Sequence, residues 1–134
     1  VKDLTLGHTI NLEEYTFNNK KIKPKILTFY SAPIIIVEGL FVFSVPMIRK
    51  MLDLKIYIEA KENLKVIRRI KRDQIERNYP LEDVLYRYEK HVLPAFERYI
   101  LPHKDEVDII VNNNDSFKPA LAMISGYIDH LLSS

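Results

Sequence analysis

Between Lys61 and Arg77 the chain packs seven basic residues (Lys61, Lys65, Arg68, Arg69, Lys71, Arg72, Arg77) against three acidic ones (Glu62, Asp73, Glu76). That segment carries a local charge of +4 in a chain whose total is only +2. At the helical advance of about 100° per residue, Lys65, Arg68, Arg69 and Arg72 share one face, while Leu64, Ile67 and Ile70 look elsewhere. Arginine stays protonated and presents a planar fork to phosphate oxygens, so arginines converging from one helix suit charge that develops on a transferred phosphoryl group. Two other readings fit the same run. One is a solvated face neutralised locally by Glu62, Asp73 and Glu76; the other is a nucleic-acid patch.

A second candidate is Glu38, which follows the apolar run Ile34-Ile35-Ile36-Val37 and precedes Gly39. Ligands of open α/β sheets sit outside the carboxyl ends of the strands, and an acid there can hold a hydrated Mg²⁺ beside phosphates. It reads equally as a strand-ending acid that merely meets solvent. A third is the stretch EEYTFNN, Glu13 to Asn19, whose aromatic and amide side chains could stack on and hydrogen-bond a nucleobase. Ordinary hairpin side chains explain that pattern as well. The histidines His8, His91, His103 and His130 show no ligand spacing, and no nucleophile–base pair is visible.

The elements that must position these groups follow from pattern. Leu12–Phe17 and Ile22–Tyr30 read as strands of a hairpin turning at Asn18-Asn19, with Pro24 confining the second to an edge. Residues 34–37 read as a parallel strand covered on both faces. Residues 40–53 read as a loop and short helix with Pro46 in its first turn. Leu54–Glu59 is a strand, and Glu62–Arg77 a helix stopped by Asn78-Tyr79-Pro80. Leu81–Leu101 is a second helix that Pro94 kinks or divides, and Val107–Val111 a buried strand. Asn112–Asp115 is a loop, with Asp115 or Ser116 capping a last helix that ends near Leu132. Strands alternating with helices predict a parallel α/β sheet.

With 134 residues, of which 47% are hydrophobic and 28% charged, the chain has the balance of one globular domain. Cysteine is absent, which removes disulfides and thiolate metal sites and fits a reducing compartment. No apolar stretch is long enough to span a bilayer, and residues 1–30 lack the apolar core of a signal peptide. Only three glycines occur, Gly7, Gly39 and Gly126, far too scattered for a glycine-rich phosphate loop.

Taken in order, the blocks EYTFNN, PIIIVEGLFVF, DLKIYIEA, LKVIRRIKRDQIER and LEDVLYRYEKHVLPAFERYILPHKDEVDIIV resemble the C-terminal two-thirds of a uridine kinase. The uridine kinases are P-loop kinases of the phosphoribulokinase and uridine kinase family. The match is collinear from Ile10 to Val111, and the string RRIKRDxxER with the long helix behind it is its most specific part.

The resemblance implies a parallel-sheet P-loop NTPase fold of the nucleoside kinase type, α/β, with the β-hairpin and helical lid present. Residues 1–134 would form one partial domain lacking the N-terminal P-loop strand. It implies Mg²⁺-dependent transfer of the γ-phosphoryl of ATP or GTP to the 5′-hydroxyl of uridine or cytidine, a pyrimidine salvage step of the cytoplasm. Carried over by position, Glu38 is the metal-holding acid and Arg69 the arginine near the nucleoside 5′ end and transferred phosphate. Arg72 and Arg77 are lid arginines on the triphosphate, and Tyr15 is the aromatic of the nucleoside-covering hairpin. The Asn112–Ser116 loop falls where related kinases approach the adenine.

The departures are informative. Asn18 stands where the family usually has a histidine, and can bond a base or ribose but cannot take a positive charge. Asn78-Tyr79 replaces the usual Gly-Arg, removing a cation, and Arg87 replaces a glutamine, restoring one. The family's GxxxxGK(S/T) loop and catalytic aspartate would lie ahead of Val1, so the chain is expected to be truncated, inactive alone, and prone to aggregate through exposed apolar edges. The resemblance leaves open a homo-oligomer of the parent. Rivals are a kinase for another small hydroxylated acceptor, of the phosphoribulokinase or pantothenate kinase type, and a non-catalytic nucleic-acid-binding module. The near-neutral total charge weighs against nucleic acid.

Overall fold

The structure is a computed structural model that describes residues 1–16 and 23–134. Its internal contacts separate two compact units, Val1–Glu38 and Gly39–Ser134, and each is described by itself.

The first unit begins with a single helical turn, α1 (Lys2–Thr5), and contains a two-stranded antiparallel ribbon of β1 (Ile10–Glu13) and β2 (Ile26–Phe29). The register pairs Ile10 with Phe29 and Glu13 with Ile26. Thr28 Oγ1 donates to Asn11 Oδ1 across the ribbon at 2.7 Å. The ladder runs one bond further, Glu14 N–H to Lys25 O at 2.8 Å, and meets Pro24, which has no N–H to offer. The expected hairpin is therefore present, with shorter strands. Its expected turn, Asn18-Asn19, lies outside the described residues. The ribbon is not half-buried as such ribbons usually are; every residue of β2 is exposed.

Residues 34–37 form no strand, which corrects the expectation of a covered parallel strand. A β-branched run becomes a strand only when a neighbour completes its ladder, and none pairs with it among the described residues. Pro33 immediately before removes a donor from the approach. Ile36 is 80% exposed.

The second unit carries the α/β architecture. A 3₁₀ turn (Val42–Ser44) leads into α2 (Pro46–Arg49), with Pro46 in its first turn, where the missing N–H costs nothing. Strand β3 (Ile56–Glu59) pairs in parallel with β4 (Ile109–Asn112), Ile56 opposite Ile109 and Glu59 opposite Asn112. Parallel pairing demands a long crossover, and it is all helix: α3 (Glu62–Arg77), α4 (Leu81–Arg87), a π turn (Tyr88–Val92), α5 (Leu93–Tyr99) and a 3₁₀ segment (Leu101–Glu106). The chain closes with α6 (Lys118–Ser133).

Pro94 explains the divided helix. It lacks an N–H for the carbonyl four residues back, and the wider π turn just before it absorbs the break. Asn78 ends α3 at φ 53°, a left-handed conformation that asparagine tolerates better than most residues. The cap of α6 falls on Phe117 rather than Asp115 or Ser116, although Ser116 Oγ accepts from Lys118 N–H at 3.3 Å.

The buried side chains of this unit are Tyr57, Val84, Val111 and Asp73. β4 is less covered than its apolar sequence predicts: Val111 is buried, but Ile109 and Ile110 are not. Their side chains border an open apolar groove of about 300 Å³ lined by Leu54, Ile109, Met123, Ile124 and Tyr127. No helix among the described residues is long and apolar enough to cross a membrane.

Candidate functional site

Both strands of the parallel pair run toward one carboxyl end, and a small hydrogen-bonded knot forms there. Asn113 N–H donates to Glu59 O at 2.7 Å, and Lys61 N–H to Asn114 Oδ1 at 2.7 Å. Asn114 N–H in turn donates to Asn112 Oδ1 at 2.8 Å. From the second turn of α3, Arg68 places both ends of its fork on this loop, on Asn113 O at 2.7 Å and Asn114 O at 2.8 Å. The loop expected near an adenine is thus held by the arginine helix itself.

One turn further along α3 the arrangement changes. Asp73 is 2% exposed and faces three guanidinium groups. Arg72 Nε and one terminal nitrogen of Arg77 both donate to Asp73 Oδ1 at 3.1 Å. Arg69 Nε stands 3.5 Å from Oδ2. That approach counts as an ion pair but misses hydrogen-bond geometry, and among the described residues Arg69 Nε is a buried donor without a hydrogen bond. Arg72 and Arg77 keep about half their side-chain surface, at 45% and 51%. A single carboxylate cannot neutralise three permanently charged guanidiniums, so the cluster presents net positive charge to solvent.

Beyond Asn78 the two positions read from sequence as an exchange of cations, Tyr79 and Arg87, meet. The guanidinium of Arg87 lies 4.8 Å from the centre of the Tyr79 ring, a cation–π stack. Tyr79 and Arg87 are physical neighbours.

Of the sequence-derived site residues, Arg69, Arg72 and Arg77 are brought together. Arg87 joins the helix end through Tyr79. Lys65, read as part of the same face, turns instead to Glu62 at 2.6 Å and lies over the Phe96 ring at 4.4 Å. Glu38 and Tyr15 belong to the first unit and are both exposed. Asn18 lies outside the described residues. A Cβ at Gly39 would stand 3.2 Å from Val42 Cγ2.

Sequence reasoning treated Asp73 as one of three local neutralisers and missed its central place. The signal was available: Arg69, Asp73 and Arg77 are spaced four apart and form one stripe. For the Arg68 clamp no signal existed, since its partners lie 45 and 46 residues away.

Around the strands, burial pushes the Tyr57 hydroxyl above its ordinary range, opposed by Lys65, and burial likewise raises Tyr88. The Lys104 ammonium is raised chiefly by its hydrogen bond to Glu59 at the end of β3. Among the described residues no group of three or more His, Cys, Asp or Glu side chains gathers. A hydrated Mg²⁺ needs only one or two protein carboxylates alongside substrate phosphates, which a lone exposed acid such as Glu38 can provide.

The crossover helix of this α/β unit thus sets one arginine, Arg68, on the loop at the carboxyl end of the parallel pair and gathers three more around Asp73 in its later turns. The family profile "Phosphoribulokinase / Uridine kinase family" matches residues 1–117, and the chain belongs to that family. It is 33% identical over 133 residues to a uridine kinase of Staphylococcus haemolyticus, and 33% identical over 132 residues to one of Borrelia duttonii. These alignments cover 99% and 98% of the chain and 64% of each relative. Uridine-cytidine kinase B of Dictyostelium discoideum is also 33% identical, over 99% of the chain and 55% of its own length. The chain therefore spans a little under two-thirds of the bacterial relatives it matches.

Proposed function

We propose that this chain is the acceptor-side and lid portion, one partial domain, of a kinase that moves the γ-phosphoryl of ATP or GTP to the 5′-hydroxyl of uridine or cytidine. Pyrimidine salvage in the cytoplasm is the corresponding role. The observation that carries this reading is the gathering of Arg69, Arg72 and Arg77 around one buried carboxylate. A solvated, locally neutralised face would keep its acid at the surface, whereas Asp73 is 2% exposed and outnumbered three to one by guanidiniums.

In this scheme Arg69 and Arg72 stabilise charge on the moving phosphoryl group, and Arg77 grips the remainder of the triphosphate. Their guanidiniums stay protonated and are already oriented, so little reorganisation is needed as charge develops. Glu38 is the carboxylate assigned to Mg²⁺, which when bound would neutralise charge between phosphate oxygens. Tyr15 and Asn18 cover the nucleoside, and Arg87, stacked on Tyr79, supplies a further cation toward it. Arg68 holds the Asn112–Ser116 loop as the base-side wall.

The engagement of Lys65 and Arg68 by internal partners leaves fewer free cations for a nucleic-acid stripe, and favours the phosphate reading. The 134 residues contain no GxxxxGK(S/T) motif, so this polypeptide by itself is expected to turn over no nucleoside. The experiment offers ATP with uridine, cytidine, pantothenate or ribulose phosphate to two proteins. One is the 134-residue chain, and the other is a chain that also carries a GxxxxGK(S/T) segment. Turnover of uridine or cytidine by the second alone is the expected result. Preference for another acceptor, or turnover by the 134 residues, would overturn the assignment.

A further inference from the structure

Asp73 has two roles in the geometry. Its side chain touches the guanidiniums of three arginines, through Oδ1 to Arg72 and Arg77 and through Oδ2 to Arg69. Its main-chain carbonyl accepts the Tyr79 N–H at 3.1 Å, closing the end of α3 just where Arg87 stacks on the Tyr79 ring. One buried residue thus sets the spacing of the arginines and the course of the chain that follows them.

Each guanidinium has five N–H donors in a fixed plane. The hydrogen bonds to Asp73 take one donor from Arg72 and one from Arg77. Both side chains stay half exposed, so other donors remain available to solvent. Arg69 is the least firmly held of the three, since its Nε does not complete a hydrogen bond. Forks fixed side by side over a common carboxylate match oxygens distributed along a chain better than oxygens on one compact centre. Loose cations on independent rotamers would attract any anion according to its charge.

We infer that Asp73 is a positioning residue that gathers Arg69, Arg72 and Arg77 into one array selective for an extended phosphate chain over a single phosphate. The inference deepens the kinase reading and rests on it. Asp73 itself touches no phosphate in this arrangement, and its carboxylate lowers the net charge of the site. Its contribution is therefore geometric: removing the charge should strengthen generic anion attraction while it weakens discrimination.

The test uses the 134-residue chain and calorimetric titration with sodium tripolyphosphate and with inorganic phosphate at matched ionic strength. Asp73→Asn removes the charge, whereas Asp73→Glu keeps it and moves it outward by one methylene. Both are compared with the unaltered chain, and circular dichroism checks that each is folded. The unaltered chain should prefer tripolyphosphate, and each folded variant should lose about tenfold or more of that preference, the size of one misplaced charge-assisted hydrogen bond. A purely structural role for Asp73 predicts folded variants that keep the preference, and that outcome overturns the inference while leaving the kinase reading intact. Failure of the unaltered chain to bind either anion overturns the phosphate reading itself, and with it this one.

If both variants fail to fold, the unaltered protein still decides. Its Arg69, Arg72 and Arg77 Nε–H signals, followed by NMR during the tripolyphosphate titration, should shift together with one binding constant. Independent shifts, or a response from only one arginine, would contradict a shared array.

Discussion

Two parts of α3, a first half taken as residues 62–68 and a second as residues 69–77, use their charge differently. In the first half each cation has its own partner: Lys65 has Glu62 and the face of Phe96, and Arg68 has the carbonyls of Asn113 and Asn114. These contacts tie the helix to its surroundings. In the second half Arg69, Arg72 and Arg77 share one buried carboxylate and retain net positive charge. A cation with its own partner is a strut. Cations that outnumber their partner are the ones proposed to meet phosphate.

That contrast is open to attack at several points. The largest stability effect should come from Asp73→Ala, which leaves three like charges crowded without their counter-ion. Breaking a buried pair costs about 3–5 kcal/mol, and partial exposure of the guanidiniums reduces this to about 2–3 kcal/mol by urea denaturation. Arg68→Ala should cost about 1–2 kcal/mol, because it strips two carbonyls of charged donors. Its signature is local: faster hydrogen exchange at Asn113 and Asn114, whose amides bond Glu59 O and Asn112 Oδ1.

The Tyr79–Arg87 stack should yield a coupling of about 0.5–1 kcal/mol in a double-mutant cycle with Tyr79→Leu and Arg87→Gln. Additive single effects would mean that Tyr79 and Arg87 are energetically independent. Lys65→Ala, at an exposed pair within one helix, should change stability by no more than about 0.5 kcal/mol.

Alkaline pH probes the strand ends. Folding raises the proton affinity of both Tyr57 and Lys104, so the folded state holds these protons more tightly than the unfolded chain. Their contribution is fully present below about pH 10 and is lost as pH climbs through the folded values. The urea midpoint should therefore fall above about pH 10, and Glu59→Gln should flatten the part of that fall due to Lys104.

The limits of α3 were legible from residues alone, since an amphipathic run meets Asn78-Tyr79-Pro80 and must stop. Both parallel strands and the break at Pro94 were legible for equally local reasons. What escaped was everything that depends on a distant partner. Residues 34–37 look like a strand by composition, but a strand exists only with a neighbour along its edge. The Arg68 clamp joins groups some 45 residues apart, beyond the reach of any local pattern. Asp73 lies between these cases. Its spacing from Arg69 and Arg77 was visible, but only burial, at 2% exposure, distinguishes a hub from one more surface acid.

The arginine assignment itself is tested most directly by uridine phosphorylation in a protein that carries this chain together with a GxxxxGK(S/T) segment. Arg69→Ala should lower kcat about tenfold to a thousandfold, the range for loss of a transition-state donor. Lys65→Ala, its neighbour one turn away, should leave kcat within about twofold. An unchanged kcat for Arg69→Ala, or equal losses at both positions, would return the second half of α3 to an ordinary solvated helix face.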